Sequence, residues 1–179
     1  MMGVRGYICA VAVGLALAGC AGPPEDAADG PPSMGDFRLG FNVVVVGDAL
    51  QGPGSQTVED AVLQRAVETA VLRELGGYNG DGLYHLGIRV DAYALATRGS
   101  GRESGLLMAV NVWDEATKRA LTAVPLEIAG TLPAGSGDLE ALAASAASAL
   151  AVALAENADT WFAPTPGQPR IPFDRFAQQ

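Results

Sequence analysis

Residues 83–96, Leu-Tyr-His-Leu-Gly-Ile-Arg-Val-Asp-Ala-Tyr-Ala-Leu-Ala, alternate in polarity along most of their length. Tyr84, Leu86, Ile88, Val90, Ala92 and Ala94 fall on one face, and His85, Arg89, Asp91 and Tyr93 on the other. A period of two marks a strand with one buried side. The polar, glycine-bearing run 97–105 then predicts a loose hairpin loop, and 106–113 a second strand that aligns Leu106, Met108, Val110 and Val112. Asp114 to Lys118 reads as a tight connection to a third strand, 120–128. Pro125 has no N–H to donate, which predicts an edge position or a bulge there. Three consecutive strands of this kind form an antiparallel meander, and the rest of the chain is placed around it.

Upstream, Phe37, Leu39, Phe41, Val43 and Val45 alternate with Arg38, Gly40 and Asn42, and Val43 to Val46 is unbroken apolar sequence. Such a run predicts a strand that enters the middle of a sheet. After a Gly- and Pro-bearing break at 47–56, Thr57 is the expected N-cap of a helix reaching about Leu75. Glu59 and Asp60 stand in its first turn, where carboxylates favour the helix dipole. Val58, Ala61, Val62, Ala66, Val67, Ala70 and Val71 form its apolar stripe, and Gly76-Gly77 its stop. Residues 138–162 predict a second helix, rich in alanine, the best helix former. Pro164, Pro166, Pro169 and Pro172 then impose an extended tail to Gln179. The order strand, helix, three strands, helix predicts an α+β fold: a two-layer sandwich in which a four-stranded mixed sheet carries two helices on one face. The helical crossover makes the first two strands parallel.

The N-terminus carries a different signal. Arg5 precedes the apolar segment Tyr7 to Ala18, twelve residues long, which is short of the roughly 20 a membrane-spanning helix needs. It closes on Leu17-Ala18-Gly19-Cys20, which resembles the bacterial lipobox. That resemblance implies lipidation of Cys20 by diacylglycerol, removal of residues 1–19, and acylation of the new amino terminus by a chain such as palmitate. Residues 20–36 hold four prolines and four acidic side chains with little to bury, and predict an unstructured tether. The expected organisation is therefore a signal peptide at 1–19, the tether at 20–36, a domain at 37–162 and the proline-rich tail at 163–179.

The full chain has a formal net charge of -9, and loss of Arg5 with the signal takes it to -10. So acidic a chain is a poor fit to nucleic acid, whose binding depends on neutralising phosphates with Lys and Arg. The same charge argues against a broad electrostatic grip on anionic lipid, so membrane attachment would come from acyl chains at Cys20. Cys9 leaves with the signal and Cys20 is blocked by the thioether, so no disulfide is expected and the core must hold the fold alone.

Motifs for chemistry are sparse. Gly47 and Gly52 have the spacing of the outer glycines of a P-loop, but Pro53 and Gly54 stand where Lys and Ser or Thr are required. His85 is the only histidine, too few for a zinc site of the usual ligand count. Ser100, Ser104 and Ser136 lie outside any G-x-S-x-G elbow. The expectation is a protein that is not an enzyme and that uses no metal or cofactor. Arg89, Tyr93 and Trp113 are the candidate partner-binding residues, in company with His85, Asp91 and Asn111, because Tyr, Trp and Arg most often anchor interfaces. The same residues also suit an ordinary solvated face with the two aromatics paired across strands.

A lipobox, an acidic proline-rich tether and a strand-helix-meander-helix domain together resemble the small lipoproteins of Gram-negative envelopes. These include the lipopolysaccharide-assembly lipoprotein, the curli-secretion lipoprotein and the auxiliary lipoproteins of lipid-transport ABC systems. The stretch 112–121, Val-Trp-Asp-Glu-Ala-Thr-Lys-Arg-Ala-Leu, looks like the hairpin common among uncharacterised members. The resemblance covers about 41–162 by element order and carries over no binding residue. It implies a lipid-anchored protein on the periplasmic side of the outer membrane, since Ala21 rather than Asp follows the cysteine. The expected function is to bind an envelope protein as an accessory of a transport or assembly complex. The alternative is a lipid or small-molecule carrier using a cleft between helices and sheet.

Overall fold

In the computed structural model, which describes residues 31–164, the long strand β3 (Gly82–Ala94) is the axis of one mixed sheet. On one side it pairs in parallel with β1 (Phe37–Val45) and, further along, with the two-residue strand β2 (Leu50–Gln51). On the other side it pairs antiparallel with β4 (Ser104–Asp114). β4 in turn carries β5 (Arg119–Ala120) and β6 (Leu126–Leu132), both antiparallel. The fold is α+β as expected, with six strands rather than four. The expected strand 120–128 divides: its ends pair with β4 as β5 and β6, and Pro125 falls in the break. β6 lies at the sheet edge, the place a proline at its threshold predicts.

Two helices cover one face, α1 (Asp60–Leu75) against β1 and α2 (Leu139–Glu156) against β4 and β6, and they also pack on each other. A short third helix, α3 (Ala158–Trp161), follows a break at Asn157 inside the helix expected over 138–162. Asp138 caps α2 through its carboxylate, which accepts from the Ala141 N–H at 3.0 Å. Helix α1 starts later than Thr57. Its N-cap is Glu59, without a side-chain bond, and the Thr57 hydroxyl accepts instead from the Gln51 amide at 3.2 Å. Its buried face is Leu63, Val67, Ala70, Val71 and Leu75, while Ala61 and Val62 turn outward. Helix α2 has the length and hydropathy of a membrane-crossing helix, but Leu142, Ala146, Leu150 and Leu154 are buried in the core.

The layers meet closely. A Cβ on Gly130 of β6 would lie 2.6 Å from the Ala146 nitrogen, so only glycine lets α2 sit directly on that strand. Ala143, Ala146, Ala147 and Ala151 are the buried small residues that α2 brings to this layer.

Packing begins before Phe37, earlier than the tether boundary at 36. Met34 is buried, the Tyr78 hydroxyl donates to the Pro32 carbonyl at 2.9 Å, and the Asp36 N–H donates to the Phe162 carbonyl at 2.9 Å. The aromatic content of this corner explains why. Phe37 stacks on Tyr84 at 5.6 Å, and Phe162 lies against both at 4.9 and 4.8 Å, fastening the end of the domain to its beginning. The signal segment 1–19, Cys20 with the tether to residue 30, and the tail prolines 166, 169 and 172 lie outside the described residues.

Burial, aided by Asp114 and Asp36, pushes the Tyr84 phenol from 10.0 up to about 12. The folded state therefore favours the neutral phenol. That contribution is complete below the unfolded value near 10 and is lost as pH rises through about 12. Denaturant midpoints should fall between pH 10 and 12 in the natural protein, and Tyr84→Phe should flatten most of that fall. An unchanged fall in the variant would mean that other groups carry the alkaline transition.

Candidate functional site

The helices leave the second face of the sheet open, and two β-bulges decide what stands on it. The first lies between Leu39 and Asn42 of β1. A one-residue insertion reverses which side chains point where. Phe37 therefore faces the core, while beyond the bulge Val44 and Val46 do so and Phe41, Val43 and Val45 project from the open face. This corrects the expectation that Val43 to Val46 belong to an interior strand. β1 is an edge strand, apolar on both faces because its outer face is itself apolar.

The second bulge lies between Val90 and Ala92 of β3 and moves Tyr93. Tyr93 does not stand beside Trp113 on the open face. It is 7% exposed, on the helix-covered side, where its hydroxyl accepts from the Val58 N–H at 3.3 Å. Tyr93 is thus a core residue that steadies the entry to α1. Ala92 and Ala94, expected inside, take the outward positions.

Strand register arranges the open face in rows. Leu50, Ala92, Leu107 and Ala129 are successive partners across β2, β3, β4 and β6. Val45, Arg89, Ala109 and Glu127 form the next row, and Val43, Gly87 and Asn111 the one after. His85 pairs with Trp113, and Trp113 with Ala120. Six large apolar side chains are exposed on this side: Phe41 (71%), Val43, Val45, Leu50, Leu107 and Trp113 (42%). Around the first row, small residues form the floor of a shallow apolar groove of about 570 Å³ walled by Leu50, Pro53 and Leu107. These apolar side chains are gathered on one face rather than scattered singly.

One end of the face is rigidly organised. The Phe41 N–H donates to His85 Nδ1 at 2.9 Å, and His85 Nε2 meets Glu115 Oε2 at 3.1 Å. An acceptor Nδ1 places the ring proton on Nε2, so the imidazole donates to the carboxylate. The Phe41 ring stacks on the imidazole at 5.0 Å. Gly40 makes this possible, because a Cβ there would overlap the imidazole. Lys118 and then His85, both bonded to Glu115, hold its carboxyl below the usual range. Arg89 is exposed and pairs with Asp91 along its own strand at 2.5 Å. The arrangement fixes surface shape; among the described residues no three His, Cys, Asp or Glu side chains come together.

Of the expected partner-binding residues, Arg89 and Trp113 share the open face with His85 and Asn111. Sequence periodicity missed Phe41, Val43, Val45, Leu50 and Leu107. The signal for Leu107 was present: residues 106–110 are apolar at every position, more than one buried face requires.

No family model matches the chain, and no curated protein matches it. Among solved structures it is similar to a Xanthomonas campestris protein of the family model DUF330, with 16% identity over 71% of this chain and 86% of that one, at a TM-score of 0.43. It is similar to the PelC dodecamer subunit from Paraburkholderia phytofirmans, with 14% identity over 65% and 86% of the two chains and a TM-score of 0.36. A presumed lipoprotein from Caulobacter crescentus CB15 shares 19% identity over 66% and 91%, at a TM-score of 0.33.

Proposed function

We propose that this chain is a non-enzymatic lipoprotein of the cell envelope, anchored through Cys20 and facing the periplasm from the outer membrane, whose open sheet face docks a protein partner. The observation that supports it is the apolar open face, with Phe41 stacked on His85 at one end and Trp113 exposed as the register partner of His85. Tryptophan and phenylalanine bury large area on binding, and a phenylalanine already stacked loses little freedom when it does so. The lipobox residues 17–20 supply the reason to place that face near a membrane. As an accessory of a transport or assembly complex, the chain would use this surface to dock and the anchor to stay at the membrane.

A second reading, as a carrier of a small apolar molecule, draws on the groove beside Leu50 and Leu107 rather than on a cleft beneath the helices. The two readings separate in one experiment. Crosslinking in intact cells should join the natural protein to another polypeptide, and Phe41→Ala with Trp113→Ala should remove that product while the far-ultraviolet spectrum stays native. Product that survives the double substitution would move the docking surface elsewhere. A carrier would instead copurify with an extractable apolar molecule that Leu107→Glu expels.

A further inference from the structure

Row symmetry and charge on the open face point to its occupant. We propose that the open face packs against the same face of a second copy of this chain, about a twofold axis that runs parallel to β4, midway between the two sheets, and passes over Ala109. The inference rests on reading that face as a protein-docking surface and names the partner.

Ala109 has Arg89 as its register partner on one side and Glu127 on the other. The two charges therefore stand one strand spacing to either side of Ala109, about 4.8 Å away in the hydrogen-bonding direction. Rotation by half a turn about that axis sets Arg89 of one copy opposite Glu127 of the other, and Glu127 opposite Arg89. Each guanidinium would then face the carboxylate of the other copy, twice in one interface. This is the self-complementarity an isologous dimer needs. Glu127 is exposed and forms no ion pair among the described residues. Arg89 meets Asp91 mainly through Nε, which leaves other guanidinium donors free for a second carboxylate.

The uncharged rows obey the same symmetry. Ala92 and Ala129 flank Leu107 and exchange places, so that leucine meets leucine over small neighbours. Asn111 and Trp113 lie on the same strand as Ala109 and meet their own counterparts near the axis. Two such sheets would pack in the aligned manner, about 10 Å apart, with side chains of the inner faces interdigitating. Phe41, Val43 and Val45 on the β1 edge would border the contact, placing most of the exposed apolar side chains inside or beside it.

The test uses the full chain expressed in a Gram-negative host, purified in detergent and sized by light scattering. The natural protein should measure as two copies. Arg89→Glu and Glu127→Arg should each raise the dissociation constant at least tenfold, since like charges then face each other twice. An equimolar mixture of these two variants should recover the two-copy mass, because each then offers what the other lacks. The double variant Arg89→Glu with Glu127→Arg should also recover it. A two-copy mass that withstands both single substitutions would overturn the proposal by placing the contact elsewhere. A single-copy mass in the natural protein would also overturn it, and the reading of the face as a docking surface would still stand if the Phe41 and Trp113 substitutions remove crosslinks to a different polypeptide. Loss of neither mass nor crosslinks would overturn both.

Discussion

Replacing Val67 with aspartate is expected to unfold the domain, whereas Glu68→Ala, one residue along, is expected to change stability little. Val67 is 1% exposed, midway along α1 on the face that meets the sheet and α2. The substitution removes an apolar side chain whose burial contributes about 1.5–3 kcal/mol. It also places there a carboxyl for which the surrounding Leu63, Val71 and Leu75 offer no hydrogen-bond donor. An unpaired buried polar group costs several kcal/mol more whether it ionises or takes up a proton. Together these approach the roughly 5–15 kcal/mol that stabilises a whole domain. Glu68 accepts from the Gln64 amide one turn earlier at 2.9 Å, an i,i+4 contact worth about 0.2–0.5 kcal/mol. Its carbonyl, which accepts from Asn42, belongs to the backbone and survives the truncation. Circular dichroism melts of the two variants make the comparison. Comparable melting of both would mean that α1 is turned differently on the sheet.

The helices were legible because a period of 3.6 survives small errors of boundary. Val67, Ala70 and Val71 are buried as the stripe predicts, even though the helix begins at Asp60 rather than just after Thr57. Strands are less forgiving. A single extra residue at the bulge in β1 exchanged the faces of Val43 and Val44, and another at Asp91 exchanged Ala92 with Tyr93. Bulges leave a weak trace in sequence, because the alternation on either side stays regular and only its phase changes. Asp91 between apolar neighbours and Gly40 before Phe41 are such traces, visible only once register is known. For the same reason strand periodicity groups Tyr93 with Arg89 and Trp113, and its burial shows that a periodic pattern carried across a bulge assigns the wrong face. The run Val43 to Val46 misled differently. Apolar side chains on both faces of a strand ordinarily signify a central position. Here they signify an edge strand whose outer face belongs to an uncovered apolar surface.

Cys20→Ala is expected to abolish acyl labelling, and with it the attachment of the mature protein to membranes. Each buried methylene contributes about 0.8 kcal/mol, so one chain holds a protein only marginally while two or more hold it stably. Diacylglycerol on the sulfur and a further chain on the amino terminus would exceed that threshold, and all of them depend on one side chain. Electrostatics offers no substitute. A chain of net charge -9 is repelled by anionic headgroups rather than drawn to them. The twelve apolar residues before the cleavage point are too few to span a bilayer stably, for which roughly 20 are needed. Growth on a labelled fatty acid, followed by carbonate extraction and intact-mass measurement, separates the two ways a variant could remain in the membrane fraction. Uncleaved precursor would retain residues 1–19 and carry no label. Cleaved protein that sediments without label would owe its attachment to a partner held on the open face, and adding Phe41→Ala and Trp113→Ala should then release it. If the natural protein itself takes up no label, Cys20 is not an anchor and the open face must do its work without one.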